Sequence, residues 1–259
     1  MPQKKLSNLT VLSNSVQGED FFLLRLKTDE CHPAIKPGQF VEIRISGAEN
    51  VMLRRPISIH NFNEDSKVME LLVRKAGNGT KCLSRCQAGD KIDIVYPLGN
   101  GFDVAAAGER PLLVGGGVGV APLLMLAAEL RKAGAKPVFL FGARTSSAIL
   151  RREKFKEYGQ IDVATEDGSE GVKGFVTDHP DLSAEGLKNF TSIYQCGPTP
   201  MMKAVAQRAK AAGVECYASL ENMMACGFGV CLCCVTDTVN GNKRVCADGP
   251  VFNVNDLKW

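Results

Sequence analysis

Four cysteines near the carboxyl end of the chain have the spacing of iron–sulfur ligands. Cys226, Cys231 and Cys234 follow a C-x4-C-x2-C pattern, and Cys246 comes after eleven further residues. Plant-type [2Fe–2S] clusters have this spacing, and soft thiolate donors fill the tetrahedral positions that the two irons leave open. Two glycines inside the first gap let backbone N–H groups approach the sulfur atoms. The run therefore predicts a one-electron carrier with these four cysteines as metal ligands.

A structural zinc site is the alternative for four cysteines, because C-x2-C pairs are typical of zinc. The run contains only one such pair, so its spacing favours iron–sulfur over zinc. Cys233 falls outside the pattern, and we predict that it is a small packing residue.

The overall composition argues against several classes of protein. The chain has ten cysteines, but its first residues, MPQKKLSNLTVLSN, lack the apolar run of a signal peptide, so we expect reduced thiols and a cytoplasmic protein. The 31 basic and 28 acidic residues are scattered along the chain, which argues against a nucleic-acid partner. The longest apolar stretches are strand-sized or interrupted by Gly and Pro, so we expect no membrane partner.

Two glycine-rich turns could approach phosphate groups. The run GGGVGVAP, from Gly115 to Pro122, lies between a predicted buried strand and a predicted amphipathic helix, where glycines let the backbone approach a phosphate. It is not a strict G-x-G-x-x-G, so on its own it is weak evidence. Earlier in the chain, Gly79 and Thr80 could close a second loop on phosphates, and Arg55 could supply a bidentate fork for a pyrophosphate.

The surrounding pattern indicates which elements position these residues. Between Leu6 and Leu98, short alternating strands separated by Gly, Pro, Asn and Asp favour a small antiparallel β-barrel. From about residue 109, a buried strand, a turn and an amphipathic helix begin a βαβ pattern, which is typical of a parallel sheet. The last section, of roughly forty residues, is too short for a sizeable core without a staple or a metal centre. We predict three domains, at residues 1–105, 106–218 and 219–259.

These motifs resemble those of the ferredoxin–NADP reductase type flavoproteins. The barrel of that superfamily carries an R-x-[YF]-[ST] signature for FAD, which Arg55 and Ser58 match, while Ile57 stands where an aromatic residue is usual. GGGVGVAP is similar to the superfamily's G-G-[GT]-G-[IV]-[AT]-P run, and CGPTPMM, which begins at Cys196, is similar to its C-G-P-x-x-M element. The loop TEDGSEG also matches, and Asp167 within it either orients nicotinamide or ribose or caps its own turn.

The resemblance implies a set of cofactor-binding residues. For FAD they are Arg55, Pro56, Ile57, Ser58, Leu72, Val73, Arg74, Gly79 and Thr80. For NAD they are Gly115, Gly116, Gly117, Gly119, Gly197 and Pro198. Cys196 is the implied catalytic residue, near the nicotinamide C4, although a cysteine that ends a strand is more commonly an inert buried thiol. Three arginines lie near the expected adenosine ribose and could accept the 2′-phosphate of NADP: Arg144, Arg151 and Arg152. The resemblance nevertheless implies NAD.

The order of FAD barrel, nicotinamide domain and cluster run resembles the electron transfer subunits of NAD-dependent dihydroorotate dehydrogenases, over essentially all 259 residues. This resemblance implies an oxidoreductase component that passes electrons from the FMN of a separate catalytic subunit through [2Fe–2S] and FAD to NAD⁺, in pyrimidine biosynthesis. It also implies a heterotetramer with two copies of each chain. The apolar loop from Met223 to Cys234 suits the docking of that partner.

Three alternatives remain open from the sequence. The same motifs occur in the small subunit of NADH-dependent ferredoxin:NADP oxidoreductase and in a sulfide dehydrogenase subunit. A free-standing flavin or iron–sulfur reductase would work without a dehydrogenase partner. An iron–sulfur redox sensor on a degenerate scaffold would be non-enzymatic, and the intact flavin and nicotinamide motifs argue against it.

Overall fold

The amino-terminal section is a seven-stranded antiparallel sheet in the computed structural model, which describes residues 4–28, 31–47 and 50–259. Residues 1–3, at the start of the first predicted domain, lie outside the described part. The strands, numbered in chain order, are β1 (Lys5–Val16), β2 (Phe21–Lys27), β3 (Phe40–Ile43), β4 (Arg55–Ser58), β5 (Asn61–Asn63), β6 (Val68–Arg74) and β7 (Lys91–Leu98), and the helix α1 (Asn78–Leu83) connects the last two. Across the sheet the order is β4-β3-β7-β1-β2-β6-β5.

One continuous stretch of chain closes this sheet into a barrel. β4 pairs with β3 at one edge, and β5, which follows directly, pairs with β6 at the other edge. At the corner between them, the Ile59 N–H donates to the Gln39 carbonyl at 3.0 Å, and the His60 N–H donates to the Glu70 carbonyl at 2.9 Å. Alternate apolar side chains of the strands fill the interior. The predicted antiparallel barrel is confirmed.

The middle section is an open sheet whose strands are parallel except at one edge. Its strands are β8 (Pro111–Gly116), β9 (Val138–Ala143), β10 (Gln160–Thr165), β11 (Val172–Lys173), β12 (Ser192–Cys196), β13 (Glu215–Ser219) and β16 (Val251–Asn253). The order across the sheet is β11-β10-β9-β8-β12-β13-β16, and β16 is antiparallel to β13. The chain order reverses between β8 and β12, so the carboxyl ends of these two strands form the switch point where such sheets bind ligands.

Helices cover both faces of this sheet, which explains why its strands are apolar at consecutive positions. Leu112 and Val114 of β8 pack into one core, whereas Leu113 between them packs into another. The helices are α2 (Leu123–Lys132), α3 (Arg152–Lys156), α4 (Ala184–Leu187) and α5 (Thr199–Ala212). In the described part of the chain, no helix is both long and apolar enough to cross a bilayer. The predicted parallel α/β architecture is confirmed.

The carboxyl-terminal section has little core of its own. It contains the cluster loop and a hairpin of β14 (Val235–Thr238) and β15 (Gly241–Arg244), and then its last strand, β16, joins the middle sheet. Two of the predicted ligands, Cys234 and Cys246, are buried in the same core as Val205 of α5. The section therefore depends on the nucleotide domain as well as on any metal centre.

A buried polar contact joins the barrel to the middle section. The His60 ring is fully buried, and its Nδ1 lies 2.9 Å from the Ala121 carbonyl oxygen. The Arg151 Nε donates to the His60 Nε2 at 3.3 Å, and the same guanidinium lies 3.6 Å from the Glu70 carboxylate. Burial lowers the pKa of His60 to about 4. A neutral imidazole therefore holds the two sections together, since it can donate to the carbonyl and accept from the arginine.

Candidate functional site

The four predicted cluster ligands come together as two pairs. Cys231 directs its backbone N–H and its thiol to the sulfur of Cys226. The Cys246 N–H donates to the Cys234 Sγ at 3.4 Å, and the thiols of this second pair are also hydrogen-bonded. A Cβ atom on Gly229, between Cys226 and Cys231, would lie 2.8 Å from the Ala247 Cβ, next to Cys246, so the loops that carry the two pairs are in contact. Cys233 is exposed rather than packed.

The pairing of the cysteines is the arrangement that a [2Fe–2S] cluster uses. In the described part of the chain, no three His, Cys, Asp or Glu side chains are already gathered around one position. A structural zinc needs four ligands around one centre, whereas a [2Fe–2S] cluster takes two thiolates on each iron. The donors are soft and anionic, as an iron–sulfur cluster requires. The residues therefore fit the predicted cluster.

Backbone N–H groups surround the sulfur of Cys226. Burial by itself raises the pKa of this thiol, but the N–H groups of Cys231 and Phe228, among others, point at it and lower its pKa to about 6. The Phe228 N–H donates to the Cys226 Sγ at 3.3 Å. Gly227 (φ 70°) and Gly229 (φ 82°) have left-handed backbones that allow this turn. The thiolate, which is the form that binds metal, is favoured at this position.

The second pair is in a different environment. Cys234 and Cys246 are both buried, and burial, followed by the neighbouring thiol of Cys234, raises the pKa of Cys246 to about 12. Binding of metal at this pair therefore requires the release of a proton that the protein otherwise holds firmly.

Glu42 is a buried acidic residue under the cluster loop, and the sequence pattern does not reveal it. A Cβ atom on Gly227 would lie 2.8 Å from the Glu42 Cγ, so the loop packs directly on this side chain. Neither carboxylate oxygen has a hydrogen-bond partner among the described residues. Burial raises the pKa of Glu42 to about 7, although the positive charges of Arg54 and Arg55 oppose the rise. A carboxyl group of variable charge thus lies between the cluster loop and the barrel.

Arg55 and the start of α1 face each other beside β4, in the region predicted to hold FAD. A Cβ atom on Gly79 would lie 2.9 Å from the Arg55 Nε, so the arginine side chain passes over this glycine. The Thr80 Oγ1 accepts hydrogen bonds from the Ala76 and Gly77 N–H groups, at 2.9 and 3.2 Å, which fixes the turn into α1. A guanidinium fork beside a turn of backbone N–H groups suits a pyrophosphate.

The other residues predicted to hold FAD have varied surroundings. Pro56 and Ser58 are half-buried on β4, and Ile57 packs against the barrel core. Leu72 is buried in the core between the barrel and α2, and Val73 is buried inside the barrel. Their side chains are enclosed by protein, so these two residues offer a cofactor only their backbone. Arg74 is exposed at the end of β6.

The predicted nicotinamide residues meet at the switch point between β8 and β12. A Cβ atom on Gly119 would lie 2.5 Å from the Cys196 carbonyl carbon and 2.7 Å from the Gly197 Cα. A Cβ atom on Gly116 would lie 2.8 Å from the Pro198 Cδ. The glycine-rich turn and the Cys-Gly-Pro turn are therefore in direct backbone contact. Gly115 packs inside against Val120, whereas Gly117 (φ 55°) has no neighbour within 4 Å in the described chain and faces open space.

Cys196 is paired with an acidic residue that the sequence analysis did not single out. Its thiol donates to the Glu221 Oε1 at 3.8 Å. Burial, followed by the charge of Glu221, raises the pKa of Cys196 well above its usual value, and desolvation raises the pKa of Glu221 as well. Cys196 is thus a neutral, fully buried thiol that is poorly suited to nucleophilic attack. Glu221 was missed because it lies where the cluster section begins, outside every motif.

Two of the three arginines predicted near the adenosine ribose are already paired. The Arg152 Nη2 lies 2.6 Å from the Glu170 carboxylate, and Arg151 contacts His60 and Glu70 as described above. Arg144 is exposed. Asp167 accepts hydrogen bonds from the N–H and the hydroxyl group of Ser169, at 3.0 and 2.7 Å, so it caps its own turn in this structure.

Family models match three consecutive parts of the chain. An oxidoreductase FAD-binding domain matches residues 4–102, and an oxidoreductase NAD-binding domain matches residues 113–207. The iron–sulfur cluster binding domain of dihydroorotate dehydrogenase B matches residues 221–258. The predictions of an oxidoreductase component and of its FAD, NAD and iron–sulfur cofactors are confirmed.

Similarity over nearly the full length of the chain extends to curated relatives and to a solved structure. The electron transfer subunit of dihydroorotate dehydrogenase B (NAD(+)) from Fusobacterium nucleatum is 39% identical, over 98% of this chain and 99% of its own. The subunit of the same description from Bacillus caldolyticus is 40% identical, over 96% of this chain and 97% of its own. A solved structure of NADH-dependent reduced ferredoxin–NADP oxidoreductase aligns with a TM-score of 0.85 at 32% identity, covering 98% of this chain and 90% of that chain. The chain belongs to the family of electron transfer subunits of dihydroorotate dehydrogenase B (NAD(+)).

Proposed function

We propose that this chain passes electrons from the FMN of a dihydroorotate dehydrogenase catalytic subunit, through a [2Fe–2S] cluster and FAD, to NAD⁺ in pyrimidine biosynthesis. The proposal includes a heterotetramer with two copies of each chain. The names of the full-length relatives support the partner and the pathway. The arrangement of the three sites supports the route.

The observation that carries the proposal is the contact between the cluster loop and the barrel. Gly227 packs on Glu42 of β3 and on Leu98 of β7, and β3 pairs with β4, which carries Arg55. Just beyond β4, His60 contacts Ala121, two residues after Gly119 of the nucleotide turn. The barrel edge predicted to hold FAD therefore adjoins the cluster loop, and the next residues of the chain contact the section that carries the nicotinamide turn, which supports a path from cluster to FAD to NAD⁺.

Each group of residues has a separate task in this path. Arg55 and the turn into α1 hold a pyrophosphate, and the two turns at Gly119 and Cys196 position a nicotinamide. The cysteines bind the cluster, and the N–H groups around Cys226 stabilise its negative charge. A bound flavin supplies the conversion between single electrons and a hydride, because it is stable in three redox states.

The surface around the cluster suits a protein partner. Met223, Val230 and Leu232 are exposed to 84%, 80% and 61%, and Phe228 lies beside them, exposed to 42%. So many large apolar side chains on one loop are costly to leave in water. We propose that this surface, hereafter the cluster face, contacts the FMN-containing subunit.

Leu232→Asp tests this assignment with little local strain. Leu232 has a left-handed backbone (φ 60°), which Asp tolerates better than Leu, so the substitution should not disturb the loop. An unpaired charge in the contact should abolish co-purification with the FMN-containing subunit and dihydroorotate-dependent reduction of NAD⁺. Reduction of an artificial dye by NADH should persist, since a dye can take electrons directly from FAD.

Phe175→Asp is the matched control, because Phe175 is 64% exposed and belongs to the nucleotide domain rather than the cluster loop. It should leave assembly intact. If Leu232→Asp assembles and reduces NAD⁺ as the unaltered chain does, the cluster face is not the docking surface. If the unaltered chain instead couples NADH to ferredoxin and NADP, the likeness to the ferredoxin–NADP oxidoreductase is the better guide to function.

A further inference from the structure

Arg244 connects the two cysteine pairs through a single side chain. Its Nε and Nη2 donate to the two carboxylate oxygens of Asp248, each at 2.9 Å. Its Nη1 donates to the Gly229 carbonyl at 3.2 Å. Asp248 lies in the turn that carries Cys246, and Gly229 lies in the loop between Cys226 and Cys231. The guanidinium therefore ties one ligand loop to the other.

The backbone of the same residues fixes this turn as well. The Arg244 N–H donates to the Asp248 carboxylate at 2.8 Å, and the Arg244 carbonyl accepts from the N–H groups of Ala247 and Asp248, at 3.1 and 2.7 Å. A Cβ atom on Gly229 would lie 2.8 Å from the Ala247 Cβ and 3.2 Å from the Arg244 Nη1. Gly229 therefore allows the two loops to approach closely enough for the arginine to bridge them.

The pair also places two opposite charges beside the ligands. Arg244 interacts electrostatically with Cys234 and Cys246. Lys243 is a further cation that faces Asp248. When a cluster accepts an electron, its negative charge increases by one, so a nearby cation favours reduction and a nearby anion opposes it. Hydrogen bonds and charges next to ligand sulfurs are known to set cluster potentials.

We infer that Arg244 and Asp248 are positioning residues that set the reduction potential of the cluster, in addition to holding its two ligand loops together. The inference rests on the proposed function, since it requires the cluster. Loss of Arg244 leaves Asp248 as an uncompensated anion, whereas loss of the Asp248 charge leaves Arg244 as an uncompensated cation. The two losses therefore act on the potential in opposite directions.

The test compares Arg244→Gln with Asp248→Asn in the complete chain, using redox titration of the cluster followed by electron paramagnetic resonance and visible absorption. Arg244→Gln should lower the equilibrium constant for one-electron reduction about threefold or more, and Asp248→Asn should raise it by a similar factor; threefold corresponds to about 28 mV at 59 mV per tenfold. The charge-conserving Arg244→Lys should keep the potential of the unaltered chain while weakening the bidentate contact, so that iron is lost faster to a chelator.

A purely structural clasp would loosen in the same way in both neutral variants. Shifts of the same sign, or two unchanged potentials, therefore overturn the inference. If Arg244→Gln holds no iron, Asp248→Asn is compared with Arg244→Lys instead. A raised cluster potential in Asp248→Asn together with an unchanged potential in Arg244→Lys supports the inference. Any other result overturns the inference. Failure of the unaltered chain to bind iron would instead overturn the proposed function itself.

Discussion

Gly119→Ala should separate the two turns that we propose position the nicotinamide. The added methyl group would lie 2.5 Å from the Cys196 carbonyl carbon and 2.7 Å from the Gly197 Cα, whereas ordinary contacts begin near 3.4 Å. Both neighbours are backbone atoms, so no side-chain rotation relieves the clash. The turns must move apart by about 1 Å, and a displacement of this size at a reacting centre costs about 100-fold in rate.

Steady-state oxidation of NADH by an artificial dye measures this effect. We expect kcat/KM to fall about 100-fold, which corresponds to about 2.7 kcal/mol of transition-state stabilisation. FAD content should be unchanged, because Arg55 and α1 lie on the barrel, away from the altered turn.

Gly134→Ala controls for a general loss of stability. Gly134 has a left-handed backbone (φ 89°) and no neighbour within 4 Å among the described residues, so an added methyl group causes strain without a clash. Gly134 follows the carboxyl end of α2, and the variant should lose about 1 to 2 kcal/mol of stability and retain its kcat/KM. If Gly119→Ala folds, binds FAD and keeps kcat/KM within threefold, the contact between the two turns does not control hydride transfer.

Three further predictions concern FAD, the cluster and the domain contact. Arg55→Ala should weaken FAD retention by about 1.5 to 3 kcal/mol, as the loss of a charged hydrogen bond does, and unchanged FAD per chain after gel filtration would remove Arg55 from the site. Cys231→Ser should abolish the visible absorption of the cluster and leave FAD bound; an unchanged spectrum would exclude Cys231 as a ligand. Burial lowers the pKa of His60 in the folded chain to about 4, below the ordinary histidine value of 6.5, so the unfolded chain binds the proton first and stability is lost as pH falls from 6.5 to 4. In urea unfolding, the free energy of unfolding lost between pH 6.5 and 4 should be about 3 kcal/mol larger in the unaltered chain than in His60→Gln. Equal losses in the two chains would show that the imidazole is not held neutral.

The iron–sulfur cofactor could be predicted from the sequence because ligation by cysteines fixes short separations along the chain. Cys226, Cys231 and Cys234, which we propose as ligands, lie in a single loop, so their spacing itself is informative. The glycine-rich turn is similarly local, because a strand, a turn and a helix follow one another directly. The order of the domains followed from these local motifs.

The residues that could not be predicted owe their properties to distant parts of the chain. Glu42 is on a short strand of the barrel, and the cluster loop, near the other end of the chain, packs on its side chain. Glu221 accepts a hydrogen bond from Cys196, which lies 25 residues earlier in the chain. His60 is held by Ala121 and Arg151, which belong to another section. Periodicity reports which positions alternate, but it does not report which distant segment covers them. The addition of β16 to the nucleotide sheet was missed for the same reason.

Anaerobic titration of the purified chain with NADH, followed by metal analysis, visible absorption and electron paramagnetic resonance, is the decisive measurement of electron transfer between the nicotinamide turn and the cysteine pairs. We expect one FAD and two irons per chain, and a paramagnetic signal of a reduced [2Fe–2S] cluster that appears as NADH is added. One zinc without iron, or iron whose signal never appears with NADH, would contradict an electron path that connects the cysteine pairs to the nicotinamide turn.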